Sequence, residues 1–200
     1  MIKNIIFDFG DIFINLDKTA TPNGLKPFGF NGITPALDHL MKTYEKGNCS
    51  TGDFISQAQQ LFPTATTAEL IEAWNAIIKN FPEERLLFIE QLAAEKKYRL
   101  FLLSNTNELH INSVIEEMGQ DKFDRFKSCF EVFYLSHQMH MRKPDTEIYS
   151  FVCEQQQLNP SETLFIDDTL ENTKAAEKLG ISTWHLSVGL EDITQLFNHI

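Results

Sequence analysis

Ile2-Lys3-Asn4-Ile5-Ile6-Phe7-Asp8-Phe9-Gly10-Asp11 begins with an apolar run rich in Ile and Phe that ends on a carboxylate. Such a run reads as a buried strand. A buried, unpaired carboxylate is costly, so Asp8 at the strand end calls for a cation, a set of donors or a reaction. An Asp in this position also fits a residue that merely opens a turn. The rest of the chain decides between the two.

Residues 18–31 collect Thr, Pro, Asn and Gly, the composition of a loop leaving the strand. Thr34 and Pro35 then supply an N-cap and a first helical position, and Leu37, Leu40, Met41 and Tyr44 recur at helical spacing until Gly47. A second helix is expected from Ser50 or Thr51, with Phe54, Ile55, Ala58 and Leu61 on one face. A third opens near Thr66 or Thr67 and carries Leu70, Ile71, Trp74, Ile77 and Ile78; a fourth spans 83–97 with Leu86, Leu87, Ile89, Leu92 and Ala93. No strand-like alternation interrupts residues 17–90, which predicts an all-helical unit.

From residue 98 the character changes. Short strands are expected at 98–103, 130–135, 163–166 and 183–186, alternating with helices at 108–118, 145–157 and 169–179. That alternation predicts an α/β fold: a parallel sheet with helices on both faces. The core takes residues 1–16 and 91–200, and residues 17–90 form a helical insert that begins just after Asp8. Open parallel sheets bind ligands beyond the carboxyl ends of their strands, so the insert would lie over the site as a cap.

Composition narrows the function. The 200 residues are 42% hydrophobic and 22% charged, those of a globular chain with a sizeable core, and the net charge of -11 argues against general nucleic-acid or anionic-membrane binding. A small phosphorylated substrate needs only local cations and stays compatible; no protein partner is inferable. The three cysteines lack metal-ligand spacing and fit reduced thiols, no apolar run approaches bilayer-spanning length, and no secretory leader pattern follows Met1. A cytoplasmic location is therefore expected.

Three predicted strands end in polar residues able to converge: Asp8, Ser104-Asn105 and Asp167-Asp168. Arg142-Lys143-Pro144, ahead of a helix, adds a cation. The combination suggests phosphoryl transfer through an aspartyl intermediate. A carboxylate can attack phosphorus once a divalent cation removes the repulsion between two anions. Mg2+ prefers hard oxygen ligands and keeps several waters, so Asp8, a backbone carbonyl near Gly10 and Asp168 make a suitable protein share, with Asp167 orienting ligands or water. Ser104 and the amide of Asn105 can donate to phosphoryl oxygens, and Lys143 can neutralise charge on Asp8 and on the moving phosphoryl group.

These motifs resemble the haloacid dehalogenase-like hydrolase superfamily: Phe7-Asp8-Phe9-Gly10, Leu102-Leu103-Ser104-Asn105-Thr106, Met141-Arg142-Lys143-Pro144, and Phe165-Ile166-Asp167-Asp168 with Asn172. The run from Leu103 to Gly180 is most similar to the branch containing small bacterial sugar-phosphate phosphatases, such as those acting on glucose 1-phosphate. The resemblance implies a Rossmann-like core, a helical cap, Mg2+ and a small phosphorylated metabolite, a sugar phosphate in the first instance. One departure stands out. Phosphatases of the superfamily usually carry a second Asp two residues after the nucleophile as acid and base, whereas this chain has Gly10, a neutral residue as in the similar sugar-phosphatase branch. Glycine can offer its carbonyl to Mg2+ but cannot protonate a leaving alcohol.

Three alternatives remain open on the sequence. A dehalogenase needs no metal, which the Asp167-Asp168 pair argues against; a phosphonatase needs a cap lysine, for which Lys42 and Lys46 are available; a non-catalytic phosphate-binding protein would keep the site without turnover. His137 and His140, three apart beside Met139 and Met141, could suggest a soft metal site but read better as a loop leading to Lys143. His110 is expected to be structural and Trp74 to belong to the cap core, while Phe28 and Phe30 are candidates to shape a substrate pocket.

Overall fold

Successive side chains of a strand face opposite ways, and the apolar runs here supply both faces. In the computed structural model, which describes residues 1–200, β1 (Asn4–Phe7), β2 (Arg99–Ser104), β3 (Val132–Leu135), β4 (Thr163–Asp167) and β5 (Ser182–His185) form one parallel sheet in the order β3-β2-β1-β4-β5. Ile5, Phe7, Leu100, Leu102, Leu164 and Ile166 join one buried cluster, and Ile6, Phe101, Leu103 and Phe165 join the other. The expected α/β architecture is present.

Ten helices follow in chain order: α1 (Ala20–Leu25), α2 (Pro35–Glu45), α3 (Thr51–Leu61), α4 (Thr67–Asn75), α5 (Glu83–Glu95), α6 (Glu108–Met118), α7 (Gln120–Ser128), α8 (Ser136–Met139), α9 (Thr146–Gln156) and α10 (Leu170–Glu177). Leu86, Ile89, Val114, Phe123 and Phe126, from α5 to α7, pack on the first face. Ile148, Tyr149, Val152, Ala175 and Ala176 of α9 and α10 cover the second. None of the helices is long and apolar enough to cross a membrane.

The cap has its own core, which runs from Leu25 through Leu40, Tyr44, Phe54 and Leu70 to Trp74. Its helices start where side chains can accept orphan amide hydrogens: Thr34, Ser50 and Thr66 each cap the helix that follows, the last in a reciprocal box with Glu69. By packing, α5 belongs with the sheet. We therefore place the cap boundary where Leu16 bridges Ile78, ahead of the expected residue 90. Ile77 and Ile78 lie past the end of α4 and help form this joint.

Two stretches differ from expectation. Residues 18–31 hold α1 and a 3-10 turn at Lys26–Phe28 where a loop is expected. Pro22 sits in the first turn of α1, where a missing amide hydrogen costs nothing, and a Cβ on Gly24 would come within 2.9 Å of Ala73 Cβ, so the apparent turn signals serve close packing on α4. Residues 120–128, which carry no expected element, form α7, a polar helix anchored by Phe123 and Phe126.

Phe126 lies at the centre of an aromatic cluster, with ring centroids of Phe9, Phe13, Phe81, Phe130 and Phe133 at 5.3, 5.0, 5.0, 5.0 and 5.9 Å. Phe126→Ala should destabilise the protein by about 3 to 5 kcal/mol, read as a lower urea midpoint.

Candidate active site

The sheet order sets β1 between β2 and β4, so their carboxyl ends open side by side. Asp8 follows the last residue of β1, and its amide donates to Ile166 O at 2.9 Å. Asp167 closes β4 and Asp168 follows it. Carboxylate oxygens of Asp8, Asp167 and Asp168 lie within 4.8 Å of one another.

Lys143 holds the group together. It is 1% exposed, and its Nζ lies 2.8 Å from Asp8 Oδ1 and 2.7 Å from Asp167 Oδ2. A buried ammonium persists only when paired on this scale. The backbone of Lys143 is fixed from β2: its amide donates to Asn105 Oδ1 at 2.8 Å, and Asn105 Nδ2 donates to its carbonyl at 2.8 Å. Ser104, at the end of the same strand, is 3% exposed.

The three carboxylates are not equivalent. Asp167 is fully buried and also accepts from Asn172 Nδ2, at 3.0 Å to each oxygen, and from Thr169 N at 2.8 Å. Its lone pairs are largely committed. Asp8 and Asp168 keep more of theirs. Burial pushes the Asp8 carboxyl up to about 7, with Asp167 and Asp168 adding to the rise and Lys143 opposing it. Burial also works to lower the Lys143 pKa, but Asp167 and Asp8 outweigh it and hold the ammonium charged. The pressure on Asp8 is what a divalent cation shared with Asp168 relieves. The carboxylate oxygens of Asp8 and Asp168 could hold such an ion.

Lys18 is the main residue the sequence reading missed. It lies in the stretch expected to be a loop, yet its Nζ sits 2.9 Å from Asp11 Oδ2 and 2.6 Å from Asp168 Oδ2. These pairings outweigh its partial burial and raise its pKa. Asp11 is consequently tied down: its other oxygen accepts from Leu16 N at 3.0 Å. It is not free to take the place of the acid that Gly10 lacks.

Several contacts seat the cap over these strand ends. Arg142, the neighbour of the expected cation Lys143, pairs with Glu45 of α2 at 3.0 Å. Ser136 Oγ donates to Glu45 O at 2.6 Å, and a Cβ on Gly47 (φ 64°) would lie 1.9 Å from His137 O. Lys46 pairs with Asp145 at 2.8 Å and Lys42 with Asp38 at 2.6 Å, which occupies both candidate cap lysines on the surface. The side chain of His140 faces Lys46 O at 3.1 Å, and the grouped metal-ligating residues are Asp8, Asp167 and Asp168 without either histidine.

The haloacid dehalogenase-like hydrolase family model matches residues 45–180. The chain belongs to that family. It is similar to the D-ribitol-5-phosphate phosphatase of Bacteroides thetaiotaomicron, 28% identical with 99% of this chain and 100% of that one covered. It is also similar to a sesquiterpene phosphatase of Aspergillus oryzae, 39% identical with 97% and 94% covered. Among solved structures, a haloacid dehalogenase family enzyme from Bacteroides thetaiotaomicron in complex with magnesium and inorganic phosphate superposes with a TM-score of 0.85 at 34% identity, covering 98% and 100% of the two chains. Magnesium is thus the metal of a solved relative within the family, and the carboxylate donor set of this member suits it.

His110 joins the cap to the same edge. Its ring stacks on Trp74 with centroids 5.0 Å apart, Nε2 donates to Trp74 O at 3.1 Å, and Nδ1 accepts from Asn107 Nδ2 at 3.1 Å. Burial lowers its pKa from 6.5 to about 4. A histidine so shifted takes up its proton first in the unfolded chain, so its contribution to stability falls as pH drops from 6.5 towards 4. Between pH 7.5 and 5 the loss should be about 1 to 2 kcal/mol, and His110→Gln should remove that component from paired urea titrations.

Proposed function

We propose that this family member is a Mg2+-dependent phosphatase that hydrolyses a small phosphate monoester through an aspartyl-phosphate on Asp8. The observation that carries the reading is the buried Lys143 ammonium bridging Asp8 and Asp167, with Asp168 completing a carboxylate cluster. In this reading Asp8, Asp168 and the Gly10 carbonyl hold the ion, which when bound offsets the charge between nucleophile and phosphate. Asp167, engaged by Lys143, Asn172 and Thr169, is a positioning residue.

An Asp8 oxygen attacks phosphorus and the bond to the leaving oxygen breaks, the departing alkoxide taking its proton from solvent; water then attacks phosphorus of the aspartyl-phosphate, gives up a proton to solvent, and releases inorganic phosphate and the free Asp8 carboxylate. Lys143 holds Asp8 in place and offsets charge on the phosphoryl oxygens, and Ser104 and the Asn105 amide donate to those oxygens. A buried residue paired in this way needs no rearrangement as the reaction proceeds. The ribitol-5-phosphate phosphatase and the sesquiterpene phosphatase support a phosphorylated small molecule as substrate and differ on the organic group.

Phosphate release from p-nitrophenyl phosphate and simple alkyl phosphates should require Mg2+ and vanish in Asp8→Asn. Turnover equal to that control would leave a phosphate-binding protein as the better description. Activity on 2-haloacids that survives chelation would instead mark a dehalogenase.

Gly10 gives the mechanism a second signature. With no acid two residues from Asp8, the rate should depend steeply on the leaving group, with aryl esters far ahead of alkyl ones. A Cβ at Gly10 meets the Leu16 side chain alone, Cδ1 at 2.7 Å and Cγ at 3.5 Å, so combining Gly10→Asp with Leu16→Ala removes that contact. That pair should raise kcat for alkyl phosphates by about tenfold or more, within the range general acid catalysis supplies, and narrow the aryl-to-alkyl gap.

A further inference from the structure

A cavity of about 200 Å³ lies inside the cap, and its wall includes His110 and Lys18, whose ammonium pairs with Asp168 of the candidate site. At about 30 Å³ for a water-sized group, it has room for about seven such groups. Its wall is aliphatic and aromatic, with Leu25, Leu37, Phe54, Phe62, Leu70 and Trp74 all buried in the cap core. What decides its chemistry is the state of its few polar groups. Lys18 is held by Asp11 and Asp168, Glu45 by Arg142, and His110 by Trp74 O and Asn107. The Thr21 hydroxyl donates to Trp74 O at 3.2 Å. Each of these side chains thus already has a partner within the protein, with Glu45 engaged through Oε2 and Lys18 through two of its three donors.

A polyol entering this space would find fewer free partners than it has hydroxyl groups, and each hydroxyl buried unpaired carries a cost. An alkyl or isoprenoid chain would lose nothing. At the far end, Phe30, Ile33, Leu37 and Phe62 also line a second cavity of about 310 Å³ on the outer side of the cap, and Ile33 is 61% exposed there. The two cavities thus share four apolar residues and reach the surface at Ile33, while Lys18, paired with Asp168, stands in the wall of the first.

We infer that the substrate is the phosphate monoester of an elongated apolar alcohol, its phosphate at Asp8 and its chain in the cap cavity. This rests on the phosphatase reading above and adds the alcohol to it. Phe30 and Ile33 form the outer rim, and Trp74 and His110 flank the inner mouth.

The test is a series of ethyl, butyl and octyl phosphates, matched in leaving group, beside ribitol 5-phosphate and glucose 6-phosphate, all with Mg2+. With each methylene contributing about three- to fourfold in transfer free energy when fully buried, kcat/KM should rise at least about tenfold from ethyl to octyl, and octyl phosphate should exceed both polyol esters. Ala58→Phe, which fills the cavity, should lower the octyl-to-ethyl ratio at least about fivefold; Ile33→Asp at the exposed rim should do the same without touching the cap core. A flat series, or preference for a polyol ester by active protein, overturns the apolar assignment and leaves the phosphatase reading intact. No release from any ester, p-nitrophenyl phosphate included, defeats the phosphatase reading itself. The cavity is then judged by calorimetry with Mg2+ and alkylphosphonates: octylphosphonate binding at least about tenfold tighter than ethylphosphonate upholds it, and equal affinity overturns it.

Discussion

A single ammonium group, Lys143 Nζ, sits between Asp8 and Asp167 with almost no access to water. A charge in that position is stable only with both carboxylates in place, and the carboxylates in turn repel each other without it. The geometry of three strands follows from this constraint. β1 and β4 must be neighbours to bring Asp8 and Asp167 together, and β2 must lie beside β1 so that Asn105 can grip the Lys143 backbone from the side. Asn172 then fills the remaining capacity of Asp167, which leaves Asp8 and Asp168 as the less committed acceptors.

Much of this was legible in the sequence because strand ends announce themselves: an apolar run stops on a residue with chemistry to do. Asp8, Ser104-Asn105 and Asp167-Asp168 at one sheet edge are of that kind, whereas Lys143 comes from the turn between α8 and α9 and was read from the cation ahead of a helix. Helices α2, α3 and α4 were legible through their caps, since Thr34, Ser50 and Thr66 are read by the amides that follow them. Lys18 was not legible, because its partner Asp168 lies 150 residues away and nothing local marks the pairing. Helix α1 was hidden for a related reason: Pro22 and Gly24 look like turn residues until Ala73 of another helix is brought against them. The periodicity of α5 was plain, but periodicity states that a helix has an apolar face and not which body that face meets.

The same distinction separates the two parts of the site. At the aspartate cluster, function resides in polar groups whose partners are other polar groups, and residue identity alone suggests the chemistry. In the cap, the inferred selectivity rests on what the polar groups have already been used for. Glu45, His110 and Thr21 would each suit a sugar hydroxyl on paper, and each is occupied by Arg142, Asn107 or the Trp74 carbonyl. Only the folded arrangement shows how much of that hydrogen-bonding capacity is already used.

The joint at Leu16 and Ile78 gives the chain a modular economy. Asn15 N donates to Asn80 O at 3.1 Å, Lys79 N to Asn15 O at 3.0 Å and Asp17 N to Ile77 O at 2.9 Å, so the excursion through the cap leaves and returns at adjacent points of the backbone. To the sheet, everything between is one closed loop, and the entropy of closing a loop grows only logarithmically, by about 0.6 kcal/mol for each doubling of its length. Pairing of β1 with β2 therefore depends little on how long or how elaborate the intervening segment is. The catalytic edge can keep its carboxylates and its lysine while the segment above it is lengthened, trimmed or exchanged, which separates the inheritance of the reaction from the inheritance of its selectivity.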